Sequence, residues 1–79
     1  MKISFSKTFE RSFSKYDHIL QKRIYDAIVK LPEGDVKRLT GDDIPAIFRL
    51  RVSKYRILFY MDDIEIKILK VDSRGDIYK

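Results

Sequence analysis

The residues best suited to chemistry in this sequence are three arginines close together in the chain. Arg49, Arg51 and Arg56 fall in the stretch between Asp43 and Asp62, which holds no acidic residue and one further cation, Lys54. An arginine fork binds a phosphate through two hydrogen bonds and keeps its charge when partly desolvated, so this cluster points to an anionic, phosphate-bearing ligand. The spacing adds geometry. Residues 46–52 alternate, with Phe48, Leu50 and Val52 on one side and Ile47, Arg49 and Arg51 on the other, as a strand with one buried face does. Arg49 and Arg51 then stand side by side, about 7 Å apart by strand rise. Ser53-Lys54 reads as a two-residue hairpin turn. Pairing inward from it sets Val52 opposite Tyr55 and Arg51 opposite Arg56, so three guanidiniums share one face. Like charges directly opposed are destabilising. The plainer reading is a solvated sheet face whose long stems cover apolar residues. The lack of interleaved acids weighs against it.

A second group lies at the end of the chain, in Arg74-Gly75-Asp76-Ile77-Tyr78-Lys79. An aromatic beside arginines suits base stacking or phosphate orientation. Packing of Tyr78 on a sheet edge is an equally good reading of this segment alone. Other residues are weaker candidates. His18, beside a helix start, reads as a surface residue. Asp42-Asp43 reads as a solvated pair in a Gly/Pro loop, and Asp62-Asp63 as a two-residue hairpin tip. The three glycines form no phosphate-binding motif.

The elements that must position the arginines follow from periodicity. Residues 2–5 alternate as a short strand, and Ser6 is a helix cap. Phe9, Phe13, Tyr16, Leu20, Ile24, Ala27 and Leu31 then recur at steps of three and four. Ser14 and the capping residue Asp17 break this run into a helical hairpin, 7–15 and 17–31, stopped at Pro32-Glu33-Gly34. Residues 36–45 read as a loop. Strands follow at 46–52, 55–61 and 64–71, with Ile64, Ile66 and Ile68 alternating in the last. Three hairpin-linked strands make an antiparallel meander with one face for the helices to cover. The expected class is α+β, in the order β-α-α-β-β-β, as a single domain over 1–79.

Composition bounds the rest. Of 79 residues, 44% are hydrophobic, enough for one thin core. Such a small domain gains stability from a binding partner. No cysteine is present, which removes disulfides, thiolate metal sites and cysteine nucleophiles, and a single histidine leaves no His-rich metal site. The sequence suggests neither a metal nor another cofactor. No apolar run is long enough to cross a bilayer and the N-terminus lacks an apolar signal region, so a cytoplasmic protein without membrane contact is expected. Seventeen Lys and Arg against twelve Asp and Glu give +5, which favours a polyanion or an acidic protein segment as partner.

Over essentially the whole chain the sequence resembles the RelE/ParE toxin superfamily of type II toxin–antitoxin modules. The resemblance rests on the order of elements, on Phe48-Arg49-Leu50-Arg51-Val52 followed by Tyr55-Arg56-Ile57-Leu58-Phe59-Tyr60, and on the terminal Arg74-Gly75-Asp76-Ile77-Tyr78-Lys79. RelE-like members are ribosome-dependent endonucleases that cut mRNA in the A site, and ParE-like members poison DNA gyrase. The resemblance implies catalytic roles for Arg49, Arg51, Arg56, Arg74 and Tyr78, and RNA contacts for Lys54 and Lys79. It implies a cognate antitoxin, through which the complex binds operator DNA, with the ribosome and mRNA as targets. The paired arginine strands and the terminal tyrosine favour the RelE branch. The alternatives are a ParE-like gyrase inhibitor and a degenerate toxin that only binds its antitoxin. This chain departs from the family at the proton-transfer groups. Well-known RelE-like sites carry lysine at one or both positions matching Arg49 and Arg51, and many relatives have histidine where this chain has Asp72-Ser73. Arginine, with a pKa above about 12, is a poor general base. The identity of that base stays open.

Overall fold

The computed structural model describes residues 2–39 and 46–73. Its elements are β1 (Lys2–Phe5), α1 (Lys7–Phe13), α2 (His18–Val29), β2 (Val36–Arg38), β3 (Ile47–Val52), β4 (Tyr55–Met61) and β5 (Glu65–Ser73). The class is α+β, as the sequence implies. Both expected caps form: Ser6 accepts the Phe9 N–H at 3.0 Å and Asp17 accepts the Leu20 N–H at 2.8 Å. Each satisfies one of the donors that a helix start leaves unpaired. The helices are shorter than the apolar periodicity implies, because Tyr16 and Leu31 pack on the core from the turns that follow.

The five strands form one sheet in the order β1-β5-β4-β3-β2. Two features correct the sequence reading. The stretch 36–45, a loop by its sequence, begins with β2, which pairs antiparallel with β3, Lys37 opposite Arg49. Three residues are too few to show alternation. The sheet is also mixed, since β1 runs parallel to β5 beyond the meander. The chain between β1 and β5 runs through both helices and three strands, long enough to permit this direction, which a tight hairpin does not.

The helices cover one face. Phe9, Ile24 and Ile28 meet Leu50, Val52, Ile57, Phe59, Ile66, Ile68 and Val71, all buried. Full burial of such side chains contributes about 1.5–3 kcal/mol each. Phe5, Phe9 and Phe13 stack with centroids 5.4 and 5.2 Å apart, tying β1 to α1. The other face carries no helix among the described residues.

Two irregularities shape that open face. The register slips between Leu58 and Phe59: Leu58 pairs with Lys70 and Phe59 with Ile68. A bulge therefore moves Lys70 to the open face and Val71 to the core. The β4–β5 connection is also longer than the two residues expected at Asp62-Asp63. Asp62 accepts the N–H groups of Ile64 at 2.8 Å and Glu65 at 2.7 Å, and β5 starts at Glu65. Ile64, expected in the strand, lies in this turn and is 75% exposed.

Candidate nucleic-acid interface

The hairpin of β3 and β4 has the pairing read from the sequence, Arg51 opposite Arg56 and Val52 opposite Tyr55. Ser53 turns the chain at φ 58, a left-handed conformation. Residues directly opposed share a face. One row of the open face therefore runs Arg51, Arg56, Asp72, and the next runs Lys37, Arg49, Leu58, Lys70. A third holds Ile47, Tyr60, Lys67 and Ser4, with Lys2 beside Glu65 at its edge. Among the described residues these strands place seven cations and two carboxylates on this face.

The three central arginines differ in setting. Arg51 is exposed and Arg56 half-buried. Arg49 sits mid-face with its side chain only 13% exposed, and its Nη1 lies 3.6 Å from Asp35 Oδ1. That distance makes an ion pair but exceeds a good hydrogen bond. Nη1 is buried and has no hydrogen-bond partner among the described residues. A buried donor without an acceptor costs about 1–3 kcal/mol, which an anionic oxygen reaching it would offset.

Acids come nearer the arginines than the sequence implies. No acid interleaves along the chain, but Asp72 of β5 stands opposite Arg56, and Asp35 reaches Arg49 from the turn before β2. Asp35 is set there by its backbone carbonyl, which accepts the Arg51 N–H at 3.0 Å. It follows Gly34, whose φ of 119 and close approach to Leu50 exclude a Cβ without strain. Strand pairing, invisible along the chain, brings in Asp72 and Lys37, and the turn before β2 brings in Asp35. Lys70 had a readable signal: the apolar positions Ile66, Ile68 and Val71 break the two-residue period.

Lys54 stands at the hairpin tip with its ammonium 5.7 Å from the Tyr55 ring centre, and Tyr55 leans on Tyr16 at 5.3 Å. Burial, then Tyr55 and the charge of Asp72, push the Tyr16 phenol up. Lys54 is thus at the rim of the arginine row. At the opposite end Tyr60 donates to Glu65 Oε1 at 2.9 Å, and Ser4 donates to Glu65 Oε2 at 3.1 Å. The hydrogen bond to Glu65 holds the Tyr60 phenol above the ordinary tyrosine range. Arg74, Tyr78 and Lys79 lie outside the described residues, as do Asp42-Asp43. Among the described residues no three His, Asp or Glu side chains converge as a metal site. No described helix is long and apolar enough to cross a membrane.

Solved structures share this architecture. The archaeal RelE–RelB complex of Pyrococcus horikoshii matches with a TM-score of 0.75 at 23% identity, covering 95% of this chain and 96% of that one. The RelB–RelE antitoxin–toxin complex of Methanococcus jannaschii matches at 0.75 and 26% identity, covering 94% and 93%. By fold, this chain is RelE-like. The RelBE2 toxin–antitoxin complex of Mycobacterium tuberculosis adds a match at 0.61 with 29% identity, covering 95% and 92%. No protein-family model matches the sequence, and no curated protein does. The RelE-like toxin superfamily is thus reached through the order and pairing of the strands, over nearly the whole length of both chains.

Proposed function

We propose that this RelE-like chain is the toxin of a toxin–antitoxin pair and that its open sheet face cleaves mRNA on the ribosome. The observation that carries the reading is the arginine cluster around the unfilled Arg49 donor, on a fold shared with RelE toxins. In the proposed reaction a ribose 2′-oxygen attacks the adjacent phosphorus and the bond to the 5′-oxygen breaks. The 2′-hydroxyl proton passes to a base, and the departing oxygen takes up a proton. Arg49, Arg51 and Arg56 stabilise the charge that develops on the phosphate, the contribution that is usually largest. Arg74 holds the leaving oxygen. Tyr78 stacks on a base or exchanges a proton. Lys54 and Lys79 contact the RNA backbone. Arginine stays protonated, so the base must be another group. Asp35, beside Arg49 in the turn before β2, is a candidate acceptor alongside Tyr78. Alignment by the ribosome supplies the remaining entropic advantage, and the cytoplasm is where ribosome and message meet.

The partner that restrains the site is a cognate antitoxin bringing Asp or Glu to the arginines, through which the complex binds operator DNA. Part of that attraction is exposed charge, so affinity should fall with salt. The competing reading is a ParE-like gyrase poison. Purified toxin given translating ribosomes and, separately, gyrase with plasmid separates the two. The proposal expects cut message and normal supercoiling. Intact message with inhibited supercoiling would replace it.

A further inference from the structure

The end of the open face farthest from Arg56 has a different chemistry from the arginine rows. Its floor is Ile47, Leu58 and Tyr60, all half-buried and neighbours across β3 and β4. Beside that floor is the Glu65 carboxylate, fixed from two strands by the Tyr60 and Ser4 hydroxyls, one on each oxygen. A carboxylate oxygen has two acceptor directions, so each keeps one for a ligand. Rotation of the carboxylate is restrained before any ligand arrives. Lys67 stands opposite Tyr60, and Lys2 beside Glu65, so cations flank the floor.

From these residues we infer a nucleobase subsite that reads guanine next to the cleaved bond. The inference rests on the nuclease reading and adds a specificity-determining residue to it. Apolar and aromatic side chains on a sheet face accept a base by stacking. Tyr60 lies two residues along β4 from Leu58, which pairs with Arg49; that is about 7 Å, a step one nucleotide spans. A phosphate at the arginines therefore sets its neighbouring base over Leu58 and Tyr60. The choice of base follows from the acceptors. Guanine alone presents two adjacent donors on its Watson–Crick edge, the ring N–H and the amino group, to match the two free acceptor directions of Glu65. Adenine and cytosine each set a ring acceptor beside their amino group, and uracil flanks its N–H with two carbonyls. All three place an oxygen or nitrogen lone pair against the carboxylate.

The test uses purified toxin, ribosomes programmed with messages differing at one nucleotide of the A-site codon, and single-turnover rates. Wild-type toxin should cut fastest where guanine flanks the cleaved bond. Glu65→Gln puts a donor beside an acceptor, the pattern adenine complements. The guanine-to-adenine rate ratio should then fall by about tenfold or more, the discrimination typical of one bidentate base contact. Ser4→Ala frees one carboxylate oxygen from the strand clamp but leaves the carboxylate itself, and should lower the ratio by less than Glu65→Gln does. An unchanged ratio in Glu65→Gln, or equal loss on every codon, would overturn the subsite and leave the nuclease reading standing. The free protein supplies an independent readout: titration with guanosine 3′-monophosphate and with adenosine 3′-monophosphate, followed by NMR. Guanosine 3′-monophosphate should move the Tyr60 and Glu65 amides at lower concentration, and Glu65→Gln should abolish the difference. Equal response to both nucleotides would count against the subsite even if cleavage occurs. A clear preference without any cleavage would keep the subsite and sink the nuclease.

Discussion

The two faces of the sheet are built from the same strands and do opposite work. On the helix side, Leu50, Val52, Ile57, Phe59, Ile66 and Ile68 are almost wholly withdrawn from water. On the other side, the residues between them are Arg49, Arg51, Arg56, Leu58, Tyr60 and Lys67, exposed or half-buried. The two-residue period of a strand lets one stretch of chain encode both. The stability of so small a domain is therefore unevenly divided between the faces. Nearly all of it must come from one face, and the other is free to hold like charges near each other. That arrangement has a limit, visible where Asp35 and Asp72 approach the arginines from neighbouring elements.

Damage to each face in turn should have separate consequences. Phe59→Ala removes a fully buried ring from the helix side and should cost about 3–5 kcal/mol in urea denaturation, leaving little folded protein at 25 °C. A loss under about 1 kcal/mol would mean that the core is not where the burial places it. Arg56→Ala, one position before the buried Ile57 in β4, alters the other side. Its cleavage rate should drop by about 10²–10³, the usual loss for one preorganised charge-stabilising group. Its denaturation midpoint should hardly move, because relief of repulsion from Arg51 is offset by the lost attraction to Asp72.

Smaller changes sharpen the picture at the element ends. Asp17→Ala removes the α2 cap and should cost about 1 kcal/mol without affecting cleavage, since α2 lies behind the sheet. A cleavage defect larger than the stability loss explains would couple the helices to the open face. Asp62 gives the weakest effect. The N–H groups of Ile64 and Glu65 hold its carboxyl below its ordinary value of 3.8. A depressed carboxyl contributes stability above the unfolded pKa and loses it as pH falls through the folded one. Wild-type protein should therefore lose slightly more stability than Asp62→Asn between about pH 5 and about pH 2. Parallel acid profiles would show that the turn does not depend on the charge.

Much of this was legible in the chain because it is local. The alternation in 46–52 and 55–61, with the short turn between them, sets Arg51 opposite Arg56 without knowledge of the rest. Ser6 and Asp17 cap as their side-chain chemistry requires. What was not legible depends on strands far apart in sequence. β2 is too short to carry a pattern, so Lys37 and Asp35 could not be placed beside Arg49. The parallel pairing of β1 that brings Ser4 to Glu65 spans the whole chain. The bulge that turns Lys70 outward shows in the sequence only as a slip of one residue in an apolar alternation. The proton acceptor is the part of the site most exposed to this limit, since its candidates come from a turn and from the chain end.

Primer extension on a translated mRNA shows whether the arginine face cuts message on the ribosome. Reactions with wild-type toxin and with Arg56→Ala, each with and without ribosomes, suffice. Wild-type toxin should give new 5′ ends within the coding region only when ribosomes are present, and a folded Arg56→Ala protein should give nearly none. Intact message with wild-type toxin, or equal cleavage by both proteins, would contradict that role of the arginine face.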